Sequence, residues 1–265
     1  MGTYAISGSA SGIGAATRAK LENAGNTVIG IDLRDAEVIA DLSTPDGRDR
    51  AIADTTKRCG GTLDGLVTAA GLGPPVRGNL IAKVNYFGSQ SLLDGLRPAM
   101  AAAGAAQAVQ VGSNSSSTTP NLPPDLIEAF LAGDEDTAVG IIDAIGEPFD
   151  SAMAYGGAKL AISRWCRRQA VSDEWVGAGI TLNVIAPGPV QTPLFQAGKD
   201  DEDFGPLLDG FPIPTGEPAT PDLMADWIVF LLSPAARFAC GSVVFVDGGA
   251  DAMIRADAWP DTFSM

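Results

Sequence analysis

The chain of 265 residues contains no histidine. That absence removes Ser-His-Asp and Cys-His catalysis, together with every His-ligated metal site. Cysteine is scarce too. Cys59, Cys166 and Cys240 are odd in number and far apart, with no C-x-x-C spacing, so buried thiols are expected rather than a disulfide framework or a metal site. Basic residues are outnumbered, 17 Lys and Arg against 32 Asp and Glu, for a net charge of −15. Such a surface repels phosphate backbones and anionic membranes, which argues against nucleic acid as a partner. Apolar runs are short and broken by Gly, Pro or charge, and none approaches the ~18 to 20 residues that span a bilayer. The opening MGTYAIS enters a strand-like run at once, without the basic segment and apolar stretch of a secretion signal. Ile6 stands where a myristoylation motif wants Ser or Thr. A soluble, cytoplasmic protein is expected, whose acid–base chemistry must come from Tyr, Lys, Asp, Glu or Cys.

Hydrophobic residues make up 46% of the chain, enough for one large α/β domain. Strand-like and helix-like runs alternate: TYAIS (3–7), a helix over 11–25 closed by Gly25, TVIGID (27–32), a helix over 46–59, a strand and loop over 63–71, a long helix over 84–103, and a strand over 106–113. This rhythm predicts a doubly wound parallel sheet with helices on both faces. Residues 114–150 interrupt it with a polar, proline-bearing loop and two helix-like pieces whose apolar positions suit a small helical insertion packed on the sheet. The rhythm resumes with a helix from about Met153 to Trp175, a strand over 179–187, and a long loop from Gly188 to Thr220. A helix follows with Thr220 as N-cap and Pro221 at its first position, then a last strand within GSVVFVDGG. No repeat and no second domain is evident.

SGSASGIG places Gly8, Gly12 and Gly14 where the first strand passes into the first helix. Backbone N–H groups can approach a phosphate only where side chains are missing, and a helix N-terminus adds partial positive charge. The spacing is G-x-x-x-G-x-G, and a tight βα turn in a glycine-rich chain would also account for it. Asp32, at the end of the second strand, adds a carboxylate where an adenosine ribose could be bound. It would repel a 2′-phosphate and so favours NAD over NADP, whereas Arg34 could pair with that phosphate. Asp41 and Leu42 fall near an adenine edge, and TAAG (68–71) falls on the ribose side.

SAMAYGGAKL raises the question of Tyr155 and Lys159, four residues apart on one helix face. An ordinary helix start with one aromatic and one solvated lysine fits the pair equally well when it stands alone. It does not stand alone. The glycine loop, Asp32, AAG, VNYFG, GS, YGGAK, NVIAPGPVQTP and VDGG follow one another over nearly the whole chain, and in that order the sequence resembles the short-chain dehydrogenases/reductases. More narrowly, GIDLRDAEVIADLST, GLGP and the insertion before AYGGAK resemble its bacterial 3α-hydroxysteroid dehydrogenase/carbonyl reductase subgroup.

The resemblance implies a single Rossmann-type domain over 1–265. Its parts would be a dinucleotide-binding half over about 1–112, the insertion over about 114–150, and the catalytic helix with the substrate loop over about 151–220. It implies Asn85, Ser113, Tyr155 and Lys159 as catalytic residues. Ser115 is the alternative to Ser113, because the insertion lengthens the gap before the tyrosine. Gly8, Ser11, Gly12, Ile13, Gly14, Asp32, Leu33, Asp41, Leu42, Ala69, Ala70, Gly71, Asn85, Tyr155, Lys159, Pro187, Gly188, Val190 and Thr192 would hold the cofactor, with Thr192 bonding the nicotinamide carboxamide. Asn85 would position a water that relays protons.

Oxidising an alcohol removes a hydride, which the nicotinamide takes, and a proton, which needs a base. Bringing a phenol from ~10 to about 7 requires roughly 4 kcal/mol, and an ammonium ~4 Å away supplies about that at an effective dielectric of ~20. Lys159 is therefore expected to pull Tyr155 down. Leu194, Phe195, Phe204, Leu207, Leu208 and Phe211 suit a mobile lid over an apolar ketone or secondary alcohol, or a variable surface loop with a few anchors. A coniferyl-type aryl or allylic alcohol dehydrogenase and a non-catalytic dinucleotide sensor are the competing functions. The resemblance also implies a homo-oligomer, a dimer in preference, joined through the helices with the Asn85 and Tyr155 motifs.

Overall fold

The computed structural model describes residues 1–259. Seven parallel strands form one sheet in the order β3-β2-β1-β4-β5-β6-β7. They are β1 (Thr3–Ser7), β2 (Thr27–Asp32), β3 (Val38–Ile39), β4 (Gly65–Thr68), β5 (Gln107–Val111), β6 (Thr181–Pro187) and β7 (Val243–Val246). Parallel strands need crossovers, and these are helices on both faces, as the alternating rhythm predicts. Tyr86, Leu92, Leu93 and Leu96 lie in the core of one face with Ile162 and Trp165, while Ile6, Val67, Met224 and Ile228 form the other. The strand order reverses between β1 and β4, which opens a crevice at their carboxyl ends.

The helices are α1 (Gly12–Asn23), α2 (Pro45–Arg58), α3 (Gly78–Ala82), α4 (Ser89–Ala103), α5 (Ser115–Thr118), α6 (Pro124–Ala132), α7 (Glu135–Ile145), α8 (Phe149–Ala170), α9 (Pro193–Lys199), α10 (Gly205–Asp209), α11 (Pro221–Leu231) and α12 (Ala250–Ile254). Several expectations need correction. The long helix over 84–103 is interrupted: Lys83–Gly88 is a π-helical turn between α3 and α4, and such turns concentrate at functional sites. α8 stops at Ala170, five residues before the expected Trp175, and a turn closes there with Ser172 N–H donating to the Gln169 carbonyl. The serine-rich stretch after β5 winds into α5, and the loop over 188–220 contains α9 and α10. β3 is only two residues long, too short to leave a pattern. α6 and α7 pack on α8 and α3 instead of on the sheet. Their Leu126, Phe130 and Ile142 are fully buried there, with Phe130 against Tyr86 and Phe87.

The excursion that carries α9 and α10 is closed at its base. Gln191 N–H donates to the Ala219 carbonyl at 2.9 Å, and Ala219 N–H to the Pro189 carbonyl at 3.0 Å. No helix among the described residues is long and apolar enough to cross a membrane.

Candidate active site

A cleft of about 1050 Å³ runs across the carboxyl end of the sheet. Its floor is the glycine loop. Gly8 has φ +70°, and a Cβ there would stand 2.7 Å from the Ala70 nitrogen. A Cβ on Gly14 would stand 2.1 Å from the Gly8 carbonyl oxygen, so the loop can fold over the start of α1 only without side chains. Ser11, the N-cap, is extended and makes no capping bond with its side chain. The first N–H groups of α1 are thus left facing the cleft beside Ser11, Gly12, Ile13 and Gly14, which is a ready site for an anion.

Asp32 ends β2 at the rim of the same cleft. One carboxylate oxygen accepts from Ala10 N–H at 3.0 Å and the other from Leu33 N–H at 2.7 Å, which fixes the side chain over the glycine loop. Asp41 and Leu42 continue this wall with Ser43, and the Asp41 carboxylate accepts from the Ser43 N–H and hydroxyl at 2.9 and 2.7 Å. Ala69, Ala70 and Gly71 form the facing wall, and Pro187, Gly188, Val190 and Thr192 the end beyond β6. The Thr192 hydroxyl caps α9, accepting from Phe195 N–H at 3.2 Å, and itself donates to the Val190 carbonyl at 3.2 Å. An anion-binding floor, a carboxylate at the second strand end and a long slot between them fit a dinucleotide.

Ser113, Tyr155 and Lys159 stand together on one wall of the cleft. Lys159 is buried, and its Nζ donates to the Val111 carbonyl at 2.8 Å, tying α8 to the end of β5. Burial pulls this ammonium down to about 8. Tyr155 is half-buried, and burial raises its phenol above the ordinary value, with a hydrogen bond from the Ser113 hydroxyl acting in the opposite direction. The expected lowering by Lys159 is therefore not present. Nζ lies 5.8 Å from the centre of the Tyr155 ring and gives one donor to Val111, and desolvation is the largest influence on both groups. Ser113 Oγ also accepts from Ser115 N–H at 3.1 Å, while Ser115 lines the cleft with its hydroxyl buried and without a partner.

Asn85 departs from the expected arrangement. It is fully buried in the π-helical turn and does not line the cleft. Its amide makes a pair of hydrogen bonds to the Leu72 main chain, accepting from N–H and donating to C=O, both at 2.8 Å. Its reach to the cleft passes through Gly71, on which a Cβ would stand 3.4 Å from Asn85 Oδ1 and 3.9 Å from Lys159 Nζ. Sequence reasoning missed Thr118, Thr119 and Pro120, which α5 and the following turn present to the far end of the cleft. A serine and threonine run directly after a strand end was their only signal. Leu194, Phe195, Phe204, Leu207, Leu208 and Phe211 all line the same cleft.

Comparison with known proteins bears on this arrangement. Residues 141–251 match the family described as enoyl-(acyl carrier protein) reductase. The chain is 45% identical over 257 residues to the 3-alpha-hydroxysteroid dehydrogenase/carbonyl reductase of Comamonas testosteroni, covering 96% of this chain and 98% of that protein. It is 30% identical over 262 residues to the coniferyl-alcohol dehydrogenase of Pseudomonas sp. strain HR199, covering 92% and 94%. Among solved structures, the 3-alpha-hydroxysteroid dehydrogenase of Pseudomonas sp. B-0831 complexed with NADH superposes with a TM-score of 0.92 at 46% identity, over 97% of this chain and all of that one. A likeness of this extent, in sequence and in backbone alike, makes the protein a member of the short-chain dehydrogenase/reductase family of oxidoreductases.

Proposed function

We propose that the protein is an NAD-dependent oxidoreductase that interconverts a secondary alcohol and a ketone on a bulky apolar substrate, of the 3α-hydroxysteroid dehydrogenase/carbonyl reductase type. The observation that carries this reading is the meeting of Ser113, Tyr155 and Lys159 where the glycine-floored end of the cleft joins its apolar end. Asp32 favours NAD over NADP, because a 2′-phosphate beside its fixed carboxylate would meet like charge. Arg34 also lines the cleft, but its nearest charged neighbour is Asp35, at 4.0 Å.

A bound nicotinamide would supply or take the hydride. The chain's residues manage the proton and the geometry. The Ser113 hydroxyl holds the substrate oxygen near the Tyr155 phenol, and the phenol donates a proton to that oxygen in reduction and accepts one in oxidation. A phenol raised by burial is protonated at neutral pH, as an acid for ketone reduction must be. Lys159 fixes the wall through Val111 and presents its ammonium to the ribose side. Asn85 acts one step back, holding Leu72 and the turn after Gly71 in place. The six apolar side chains of the α9–α10 excursion exclude water around the substrate.

The likeness to a coniferyl-alcohol dehydrogenase keeps an aryl or allylic alcohol as the second reading. Calorimetric titration with NADH and NADPH, followed by turnover on 3-ketosteroids and on cinnamyl-type alcohols, separates the two. NADH binding with turnover of a 3-ketosteroid, abolished by Tyr155→Phe, is the expected result. Unchanged turnover in Tyr155→Phe sinks the mechanism.

The protein is proposed to work in the cytoplasm as a homodimer. α6 and α7 occupy the flank of α8. Large apolar side chains are exposed on α11 instead, at Leu223, Trp227 and Phe230, and next to it at Phe238. This face suits a second copy better than the α4–α8 side. A monomeric mass by light scattering at micromolar concentration would refute the dimer.

A further inference from the structure

Arg48 stands in the first turn of α2, where a cation gains nothing from the helix dipole, yet only 7% of it is exposed. Its guanidinium is engaged on every side. Nε donates to the Leu42 carbonyl at 2.8 Å, and Nη1 to a Glu135 carboxylate oxygen at 2.6 Å. Nη2 donates to the carbonyls of Ser43 and Lys83 at 3.4 and 3.3 Å, and the Phe87 ring centre lies 5.7 Å from the guanidinium carbon. Three separate segments therefore converge on one side chain. The first is the Asp41–Ser43 wall of the cleft. The second is the π-helical turn that carries Asn85. The third is the start of α7 in the insertion. Gly47 tightens the first of these, since a Cβ there would stand 1.9 Å from the Asp41 carbonyl oxygen. A planar fork with fixed donors can serve three carbonyls and a carboxylate at once, and a lysine cannot.

We propose that Arg48, oriented by Glu135, is a positioning residue for the adenosine end of the dinucleotide, so that the helical insertion is part of the cofactor site. The inference rests on the dinucleotide reading given above. Neither side chain lines the cleft. They act through the main chain of Leu42 and Ser43, whose spacing from the glycine loop sets the width of the slot. Glu135 supplies the charge that keeps a buried guanidinium in one orientation. Without it, the fork loses its strongest partner and the carbonyls of Leu42 and Ser43 lose their fixed donor.

The test uses the full chain and two probes, NADH and ADP-ribose, titrated calorimetrically into wild type, Arg48→Lys, Arg48→Met and Glu135→Gln. ADP-ribose carries the adenosine end without the nicotinamide. Both probes should weaken together, by about tenfold for the two Arg48 variants and by a smaller factor for Glu135→Gln. At saturating NADH, kcat and the KM for the ketone should stay at wild-type values. A merely structural role would instead move kcat and ketone KM together, with no selective loss of affinity for the two probes. If Arg48→Met does not fold, Arg48→Lys and Glu135→Gln carry the comparison. Unchanged ADP-ribose affinity in these folded variants, with wild type binding both probes, overturns the role of Arg48 alone. A wild type that binds neither probe overturns the dinucleotide reading, and this inference with it.

Discussion

Lys159 donates from its buried ammonium to the main-chain carbonyl of Val111 at 2.8 Å, so the residue four positions beyond Tyr155 anchors its helix to the end of β5 with one of its three donors. The bond joins the helix that carries Tyr155 to the strand that leads into Ser113. It also keeps a cation in a desolvated place, which has a measurable consequence.

Burial brings Lys159 from 10.5 down to about 8. A lysine whose folded value lies below its unfolded one binds fewer protons in the native state between those two values. Native stability therefore rises with pH from about 8 towards 10.5. Lys159→Met removes that contribution. Relative to the variant, wild type should gain up to roughly 3 kcal/mol across this window. At pH 7 the variant should match or exceed wild type, less whatever it loses by leaving the Val111 carbonyl unpaired. Denaturant melts without cofactor at pH 7, 8, 9 and 10 measure the gap, and parallel pH curves would refute the assignment. Turnover should be lost at every pH.

Ser113 and Ser115 can be told apart by what each does to the phenol. The Ser113 hydroxyl opposes the upward push of burial on Tyr155, and the Ser115 hydroxyl has no partner. In Ser113→Ala the phenol moves further up. A base must be deprotonated to act, so the rising limb of the pH–rate profile for alcohol oxidation should shift to higher pH, and kcat should fall about 10²-fold. Ser115→Ala should leave limb and rate in place. The reverse pattern would transfer the role to Ser115.

Much of this was legible in the sequence, and the failures have physical causes. Thr44, Thr192 and Thr220 each precede a proline, and each hydroxyl accepts from the N–H three residues on, at 3.1 to 3.3 Å. The signature that predicted α11 at Thr220 was equally present at Thr192, where α9 went unseen because its seven residues carry too little apolar periodicity. The place of Asp32 and the glycine loop in the cleft was readable because the strands they end, β1 and β2, were readable. The state of the Tyr155 phenol was not readable. Helical spacing sets which face Lys159 occupies, but desolvation and the Val111 carbonyl decide what its charge does. Arg48 was invisible for a related reason: its partners at 42, 43, 83 and 135 meet only once the chain is folded.

Asn85 should prove more important to the fold than its place in the motif suggests. Its amide pairs both main-chain groups of Leu72, at 2.8 Å each. Asn85→Ala would leave a part-buried donor and acceptor of Leu72 without their partner, costing about 1–3 kcal/mol and lowering the melting temperature by roughly 3–8 °C. Asn85→Asp should be no better, because a carboxylate cannot donate to the Leu72 carbonyl. A melting temperature unchanged in both would show that the pairing contributes nothing.

The size and polarity of the substrate can be tested at Leu207, which lines the cleft from α10 yet is 68% exposed. It lacks substantial protein packing to lose, so Leu207→Ser should leave thermal stability alone. Covering this side chain with a bulky apolar substrate would bury most of a leucine, worth about 1.5 kcal/mol, and its loss should raise KM roughly tenfold. A small ketone that fits beside Tyr155 without reaching α10 should keep its KM. The informative quantity is the ratio of kcat/KM for the bulky ketone to that for the small one. A fall of about tenfold in that ratio places the substrate body against α10. An unchanged ratio would mean that α10 does not touch the substrate, and that the apolar side chains there serve the excursion's own packing.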